Sequence, residues 1–333
     1  MFWKKPAPTF NTVKKSNRQT RRQRLMYSRI LLLAIMAVAA LLVLTVLIFS
    51  VCLIVDGIFG GTEEPVQPPT VTDQGTNTSM EYERITQANQ AIRQGVLINV
   101  NSQHVFDFES KLNLKNIKSN RANYQGEFET YLVNNGDWKM DAEALDAFNA
   151  MMLKHYEIFG EENMICITSA YRSYQDQADL VSSPVSPGFS DHHTGLCVAI
   201  MVQHGSELRV PDSDHWIYQN CHKYGFVMRY PDEKKNATGL TYSYEYCLRY
   251  VGVAHATYMA ANDLCLEEYT AYLASHTTKD TPLQIQGADK KLYSVYYVKA
   301  DGDLTTLEVP KNYSYTISGD NISGFIVTVD LTN

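Results

Sequence analysis

The chain has 333 residues, of which 45% are hydrophobic, with 22 Tyr and 12 Phe. It is long enough to bury a sizeable core and too apolar to be wholly disordered. The net charge of −7 averages two opposite parts: residues 1–29 carry nine Lys/Arg and no acid, whereas residues 57–333 carry 20 basic and 35 acidic side chains. The short basic tail is typical of a topology signal beside anionic lipids, and we expect no nucleic-acid partner.

An uncharged, mostly aliphatic run at residues 30–55 separates the two parts. About 20 apolar residues cross a bilayer as a helix, so the run predicts a transmembrane helix. The alternative, a cleaved signal peptide, has a shorter apolar region and a small-residue cleavage site. With the basic side inside, residues 1–29 become a cytoplasmic tail of a single-pass protein of the cell membrane, and the rest is extracytoplasmic. Residues 56–82, rich in Gly, Pro, Thr and Asn, predict a linker.

Hydrophobic periodicity predicts an α+β domain over residues 83–277, a small mixed or antiparallel sheet with packed helices. The predicted helices are 83–94, 140–158, 173–180, 212–224 closed by Gly225, one following 249–253 and ending at Ala261, and 266–274. The predicted strands are 97–101, 164–168 and 195–202. Residues 278–333 predict a small antiparallel β module, with strands at 292–298, 304–309 and 324–331 separated by Asp-Gly and Ser-Gly-Asp-Asn turns.

Four segments of the α+β domain carry the residues that could take part in catalysis or ligand binding. They are Ser169-Ala-Tyr-Arg-Ser-Tyr-Gln-Asp-Gln177, Pro187-Gly-Phe-Ser-Asp-His-His-Thr-Gly-Leu-Cys-Val-Ala199, Tyr224-Gly-Phe-Val-Met-Arg-Tyr-Pro231, and Thr238-Gly with Leu248-Arg-Tyr-Val-Gly252 and Leu266-Glu-Glu-Tyr269. In order and spacing they resemble the VanY-type zinc D-alanyl-D-alanine carboxypeptidases, whose relatives trim peptidoglycan stem peptides. The resemblance covers about residues 96–275 and implies the fold of that family.

The resemblance also implies a catalytic zinc with three protein ligands, and a carboxylate that takes a proton from the bound water. His192 stands at the first ligand position. The Asp ligand is replaced by Ala199, the third-ligand His by Cys247, and the general-base Glu by Tyr244. Two of three metal ligands and the base are therefore changed, and whether the chain is an enzyme stays uncertain at this stage.

Two alternatives for this altered centre remain open. A rebuilt zinc site would use His192 and Cys247, with Glu245, one residue from the base position, as a weak candidate base. A lost site would need no cofactor, and we favour this second alternative. Strand alternation then places Cys197 on the same face as residue 199, so a Cys197–Cys247 disulfide could fill the vacated space; two buried free thiols are the competing interpretation.

The surrounding residues that match the family give the predicted substrate site. Arg172 is expected to polarise the scissile carbonyl or bind a stem-peptide carboxylate, although it could equally be a structural salt-bridge partner. The candidate substrate-binding residues are Ser169, Tyr171, Arg172, Gln177, Ser190 and Arg249.

Three functional hypotheses follow from the resemblance. The first is a bacterial membrane-anchored, extracytoplasmic carboxypeptidase-like protein, catalytically degenerate, that binds a peptidoglycan peptide or an envelope protein. The second is an active zinc D,D- or L,D-carboxypeptidase. The third is a purely structural envelope-assembly module that uses its C-terminal strands as a contact surface.

Overall fold

The computed structural model of the protein describes residues 80–181, 183–240, 244 and 246–332. The predicted cytoplasmic tail, transmembrane helix and nearly all of the predicted linker lie outside these residues. Among the described helices, none has the length and apolarity needed to span a bilayer.

Sixteen strands and six α-helices make up the described chain. The strands are β1 (Tyr82–Ala88), β2 (Leu114–Asn116), β3 (Asn123–Tyr124), β4 (Phe128–Glu129), β5 (Leu132–Val133), β6 (Lys139–Asp141), β7 (Ile165–Ser169), β8 (Cys197–His204), β9 (Glu207–Arg209), β10 (Phe226–Met228), β11 (Cys247–Tyr250), β12 (Leu283–Gln286), β13 (Leu292–Lys299), β14 (Leu304–Pro310), β15 (Tyr315–Gly319) and β16 (Gly324–Asp330). The helices are α1 (Ala142–Phe159), α2 (Tyr174–Ala178), α3 (Trp216–Asn220), α4 (Lys235–Thr238), α5 (Val253–Ala261) and α6 (Leu266–His276). The predicted α+β class is confirmed.

A six-stranded mixed sheet carries the centre of the fold. Its strand order is β10-β11-β8-β7-β5, with β9 paired to β8, and only the β5–β7 pair is parallel. Val198 and Ile200 of β8 and Leu248 of β11 point into the main apolar cluster. Because side chains alternate along a strand, the residues between them face the opposite side of the sheet, where the candidate site lies.

Helix α1 packs against this sheet and shows why local sequence predicted it well. The Asp141 side chain caps the helix, accepting hydrogen bonds from the backbone N–H of Glu143 at 3.0 Å and of Ala144 at 3.3 Å. Leu145 and Phe148, three residues apart, are fully buried in the main apolar cluster. A capped start and an apolar stripe at helical spacing are sufficient to specify such a helix.

Short turns of 3₁₀-helix occur at two places near the centre of the fold. The predicted helix 212–224 consists of α3 and a 3₁₀ turn, Cys221–Tyr224, and it ends at Gly225 with φ +81° as expected. Another 3₁₀ turn, Asp191–Thr194, ends at Gly195 with φ +73° and leads into β8.

The C-terminal strands form a four-stranded antiparallel sheet, β12-β13-β16-β15. The sequence predicted β13, β14 and β16 but missed β12 and β15. Strand β14 is not part of this sheet and pairs with β1 in a separate two-stranded sheet. The predicted helix at 83–94 is therefore wrong. Residues 82–88 form a strand because β14 supplies their hydrogen-bonding partners. Only Asn89–Arg93 are helical, as a 3₁₀ turn.

One apolar cluster crosses the predicted domain boundary at residue 278. It joins Tyr269 of α6 and Val227 of β10 to Val295 and Ile326 of the C-terminal sheet. The predicted strand at 97–101 is also different in the structure. Its backbone hydrogen-bonds across the same boundary instead of joining a ladder, with the Leu97 N–H donating to Ser318 Oγ at 2.9 Å. The β module thus packs as part of the larger unit.

Candidate functional site

The site begins where β8 and β11 run side by side. In their antiparallel register Cys247 faces Ala199, and Arg249 faces Cys197. Partners in a register share a face of the sheet, so all four side chains point away from the main apolar cluster. The sequence reasoning that placed residues 197 and 199 on one face agrees with this register.

Three potential ligands converge on this face. A ring nitrogen of His192 and the sulfur atoms of Cys197 and Cys247 all lie within 4.8 Å of one another. All three side chains are buried. His192 reaches the cluster from the 3₁₀ turn that precedes β8, and both cysteines come from adjacent strands. Sequence reasoning assigned His192 and Cys247 as ligands; it considered Cys197 only for a disulfide.

The two cysteines are free thiols that interact closely. Hydrogen bonding with Cys197 is the main cause that lowers the pKa of Cys247, and His192 and Arg172 add to this effect against the opposing effect of burial. The same hydrogen bond, together with burial, raises the pKa of Cys197 well above its ordinary value. The predicted disulfide between them is not formed in this structure.

The family's acidic positions carry no carboxylate here. Ala199 is buried beside Cys247, and Tyr244 packs edge-on against Tyr230 and Tyr246, with ring centroids 6.3 Å and 5.6 Å away. The cavity in front of the cluster measures about 60 Å³, and its described lining holds no Asp or Glu. Glu245, the weak candidate base, lies outside the described residues.

Arg172 forms one wall of this cavity and is held in place by neutral groups. Its Nε and one terminal nitrogen donate to Ser169 Oγ at 3.0 Å and 2.7 Å, and the other donates to Gln177 Oε1 at 3.0 Å. An irregularity in the β7–β8 register between Ile167 and Ser169 redirects the chain towards Arg172. Ser169 and Gln177 are buried, so the structure places them behind Arg172 as positioning residues.

His193 supports the same arginine, a role that sequence reasoning missed. Its Nδ1 donates to the backbone oxygen of Arg172 at 2.7 Å, and its Nε2 accepts from the Gly188 N–H at 3.0 Å. Burial is the main cause that lowers its pKa, which favours this neutral form. His192 and His193 lie on the same 3₁₀ turn, and the ring of His193 faces Phe108 instead of the ligand cluster.

A buried ion network lies beneath the site. Asp191 accepts from Arg229 at 2.9 Å and from Arg249 at 2.5 Å, and Arg229 also binds both oxygens of Glu267, at 2.7 Å and 2.9 Å. Arg249 is fully buried and donates further to the backbone oxygen of Val96 at 2.9 Å. The structure therefore places Arg249, a predicted substrate-binding residue, in the buried network and not in the described lining of the cavity. Sequence reasoning gave no role to the other three.

The remaining predicted substrate residues divide between cavity and scaffold. Ser190 is buried and lines the cavity. Tyr171 is half-buried and does not contribute to the described lining; its backbone N–H donates to the Lys139 oxygen at 3.0 Å. The structure thus brings Arg172, Ser190, His192 and Cys247 together and leaves Tyr171 outside.

Comparison with known proteins identifies the family. The family model described as VanY, D-alanyl-D-alanine carboxypeptidase, matches residues 137–253. A D-alanyl-D-alanine carboxypeptidase of Enterococcus faecium is 31% identical over 267 residues, covering 77% of this chain and 82% of the relative. This chain belongs to the VanY family. A second relative, a D-alanyl-D-alanine carboxypeptidase of Enterococcus faecalis (strain ATCC 700802 / V583), is 29% identical over 238 residues, 66% of this chain and 86% of the relative.

A solved structure supports the VanY-type fold. The vancomycin resistance D,D-dipeptidase VanXYg, solved with a D-Ala-D-Ala phosphinate analogue, matches with a TM-score of 0.61 and 23% identity, covering 75% of this chain and 99% of that one. The likeness extends over most of the described residues. The changes at Ala199, Tyr244 and Cys247 therefore lie on an intact scaffold of this fold.

The side chains present fit a zinc ion, which the VanY resemblance implies. Two cysteine sulfurs and one imidazole are among the donors that zinc prefers, and they already converge. Nδ1 of His192 is buried and has no hydrogen-bond partner among the described atoms, as expected of a ring whose surroundings are not completed by protein groups alone. A zinc ion held here supplies a Lewis acid; the described chain supplies no carboxylate beside it to move a proton.

Proposed function

We propose that this chain is a membrane-anchored, extracytoplasmic member of the VanY family that binds the D-alanine end of peptidoglycan stem peptides without hydrolysing them. The observation that carries the proposal is the pairing of Ala199 with Cys247 beside Tyr244. A hydrolytic site needs a base for the attacking water, and a tyrosine packed among tyrosines is a poor one because its hydroxyl ordinarily stays protonated at neutral pH.

Arg172 supports the peptide-binding part of the proposal. Among the described residues no carboxylate lies within 4.0 Å of its guanidinium group, although five of the chain's other arginines pair with Asp or Glu in this way. Burial lowers the pKa of Arg172. A half-buried cation without a carboxylate partner is well placed for a ligand carboxylate, which a guanidinium binds through charged hydrogen bonds.

The dimensions of the cavity limit what enters it. A volume of about 60 Å³ is far below the roughly 300 Å³ or more of pockets that enclose whole small molecules. This volume corresponds to about two water molecules, so it has room for a terminal carboxylate and the atoms next to it. We therefore propose that only the end of the stem peptide enters and that the remainder lies across the protein surface.

The test uses the full-length chain in detergent with synthetic stem peptides that end in D-Ala-D-Ala or in D-Ala. We expect calorimetry to detect binding and mass spectrometry to detect no released D-alanine. Arg172→Ala should weaken binding at least about tenfold, since a charged hydrogen bond contributes roughly 1.5–3 kcal/mol. Arg209→Ala, which changes an exposed arginine, is the matched control. Release of D-alanine by the zinc-loaded chain would instead establish an active carboxypeptidase.

Membrane anchoring is a separate part of the proposal and has its own test. Its support is the uncharged run at residues 30–55 with nine basic residues before it. Protease added to intact cells should digest residues 80–333, while an epitope placed in the basic tail should remain protected until the membrane is opened. Protection of both parts in intact cells would contradict this topology. Unchanged peptide binding in Arg172→Ala would contradict the role given to Arg172, and absence of binding by the wild-type chain would favour a purely structural envelope role.

A further inference from the structure

We propose that His192, Cys197 and Cys247 bind one zinc ion, with Cys197 serving as the ligand that replaces the family's aspartate. The site is new for this chain in its ligand set, two cysteines and one histidine. It shares the cavity of the proposed function and rests on it only in that respect: metal binding does not require that a peptide be bound.

The distances in the cluster are close to those of a metal site. Around a tetrahedral zinc ion with Zn–S near 2.3 Å and Zn–N near 2.0 Å, the ligand atoms lie about 3.3–3.8 Å from one another. In the structure the three ligand atoms already lie within 4.8 Å. The largest contraction needed is on the order of 1 Å. Side-chain rotation can supply this displacement, and the strand register stays unchanged.

Strand geometry explains how Cys197 substitutes for a ligand two residues further on. Residues 197 and 199 share a face of β8, and Cys247 of β11 lies opposite residue 199. Ala199 presents only a methyl group, so the space between Cys247 and His192 is left to the side chain of Cys197. Its sulfur already lies within 4.8 Å of both the Cys247 sulfur and the ring nitrogen of His192.

The register favours a metal site over a disulfide between the same cysteines. The direct partner of Cys247 is Ala199, and the direct partner of Cys197 is Arg249. Diagonal neighbours in an antiparallel pair have Cα atoms about 7–8 Å apart, with Cβ atoms somewhat closer, whereas a disulfide needs Cβ atoms about 3.5–4.5 Å apart. A metal bridges the wider gap. It also engages a ring nitrogen of His192, which a disulfide would not.

The donor set selects the class of metal. Sulfur and imidazole ligands suit zinc, whereas magnesium and calcium require oxygen ligands. The described lining of the cavity offers no carboxylate, so the hard cations have no ligand shell there. With three protein donors, a fourth position of a tetrahedral zinc has no side-chain ligand among the described residues.

The experiment measures metal in the full-length chain in detergent, after reduction of its thiols and dialysis against zinc. We expect one zinc ion per chain by elemental mass spectrometry, and a thiolate-to-cobalt charge-transfer band in the near ultraviolet when cobalt replaces zinc. His192→Ala, Cys197→Ser and Cys247→Ser should each weaken zinc binding by about 100-fold or more, since changes beyond the ligands alone cost 10–100-fold. Cys166→Ser, at another buried thiol of the same sheet, is the matched control and should bind zinc normally.

Several outcomes would overturn the proposal. They are a reduced wild-type chain with far less than one zinc ion, a cobalt form without the charge-transfer band, unchanged zinc affinity in Cys197→Ser, and a Cys197–Cys247 disulfide that reforms in air with zinc present. The zinc content and the cobalt charge-transfer band of the wild-type chain test the proposal even if a variant does not fold. Circular dichroism shows whether each variant is folded. Peptide binding is measured separately by calorimetry with and without zinc, so failure of this proposal is distinguishable from failure of the proposed function.

Discussion

Cys247 and Ala199 are direct partners across β11 and β8, at the positions where the VanY resemblance places a histidine and an aspartate. Both side chains are almost fully buried, at 2% and 3% exposure. The loss of the carboxylate and the exchange of the imidazole for a thiol thus occurred at two touching positions. A carboxylate restored at only one of them should create a conflict, because a buried charge needs a partner.

Ala199→Asp tests this conflict. With metal removed by a chelator, the new carboxylate lies buried next to Cys247 without a cationic partner, and we expect the free energy of unfolding to fall by about 2–3 kcal/mol. Added zinc should recover most of this loss, because a cation is the missing partner. Urea unfolding followed by circular dichroism measures both effects. Ala199→Ser, which is similar in size and uncharged, is the control, and equal loss in both variants would contradict the electrostatic explanation.

Asp191 is expected to be among the most sensitive positions of the described chain. It is fully buried between Arg229 and Arg249, so Asp191→Ala leaves both guanidinium groups without its carboxylate. Removing one member of a buried ion network costs about 3–5 kcal/mol. Chemical denaturation should show this loss directly.

The matched control for Asp191 is an exposed ion pair. Glu207 pairs with Arg209 at 2.6 Å, but both side chains are more than 60% exposed. Glu207→Ala should change the free energy of unfolding by at most about 1 kcal/mol, because surface pairs are weak. Similar losses at Asp191 and Glu207 would show that the buried network does not carry the stability assigned to it.

The elements that sequence predicted well are those that local signals specify. Helix α1 has its own cap and apolar stripe, and β7 and β8 are continuous apolar runs, so neighbouring residues decide their structure. The prediction for residues 82–88 was wrong for the opposite reason. Their strand depends on pairing with Leu304–Pro310, more than 200 residues away, and no local pattern announces such a partner.

In the candidate site, too, the sequence predicted what depends on neighbouring residues and missed what depends on distant ones. Alternation along β8 was enough to place Cys197 and Ala199 on one face. The role of Asp191 was not predictable, because its two arginine partners lie 38 and 58 residues further along the chain. Arg249 was assigned to substrate because its motif matched the family, and only three-dimensional packing shows it to be fully buried.

Strand β1 should stabilise the C-terminal β module, although the sequence predicted a helix at these residues. Ile85 of β1 pairs with Leu307 of β14, which is fully buried. A chain that begins at residue 89 should therefore melt about 4–8 °C below one that begins at residue 80, since losing about 2 kcal/mol of apolar contact shifts a domain of this size by that amount. Calorimetry measures the difference. Equal melting temperatures would mean that β1 is dispensable.

His255 should make the folded chain sensitive to mild acid. The ring is buried between α6 and β16, with Nδ1 2.8 Å from Tyr269 Oη and Nε2 3.0 Å from Thr328 Oγ1. Burial lowers its pKa from 6.5 to about 4. Between these two values the unfolded chain gains a proton that the folded chain does not, so the free energy of unfolding should fall by about 1.4 kcal/mol for each pH unit.

His255→Gln isolates this contribution to the pH dependence. The variant has no group to protonate at this position, so the slope of unfolding free energy against pH between about 6 and 4 should decrease by about 1.4 kcal/mol per unit, whatever the baseline stability of the variant. His155, whose pKa burial also lowers to about 4, accounts for a further part of the wild-type slope. Thr328→Ser keeps a hydroxyl beside the ring and should keep the wild-type slope. An unchanged slope in His255→Gln would show that this histidine is protonated in the folded chain as readily as in the unfolded one.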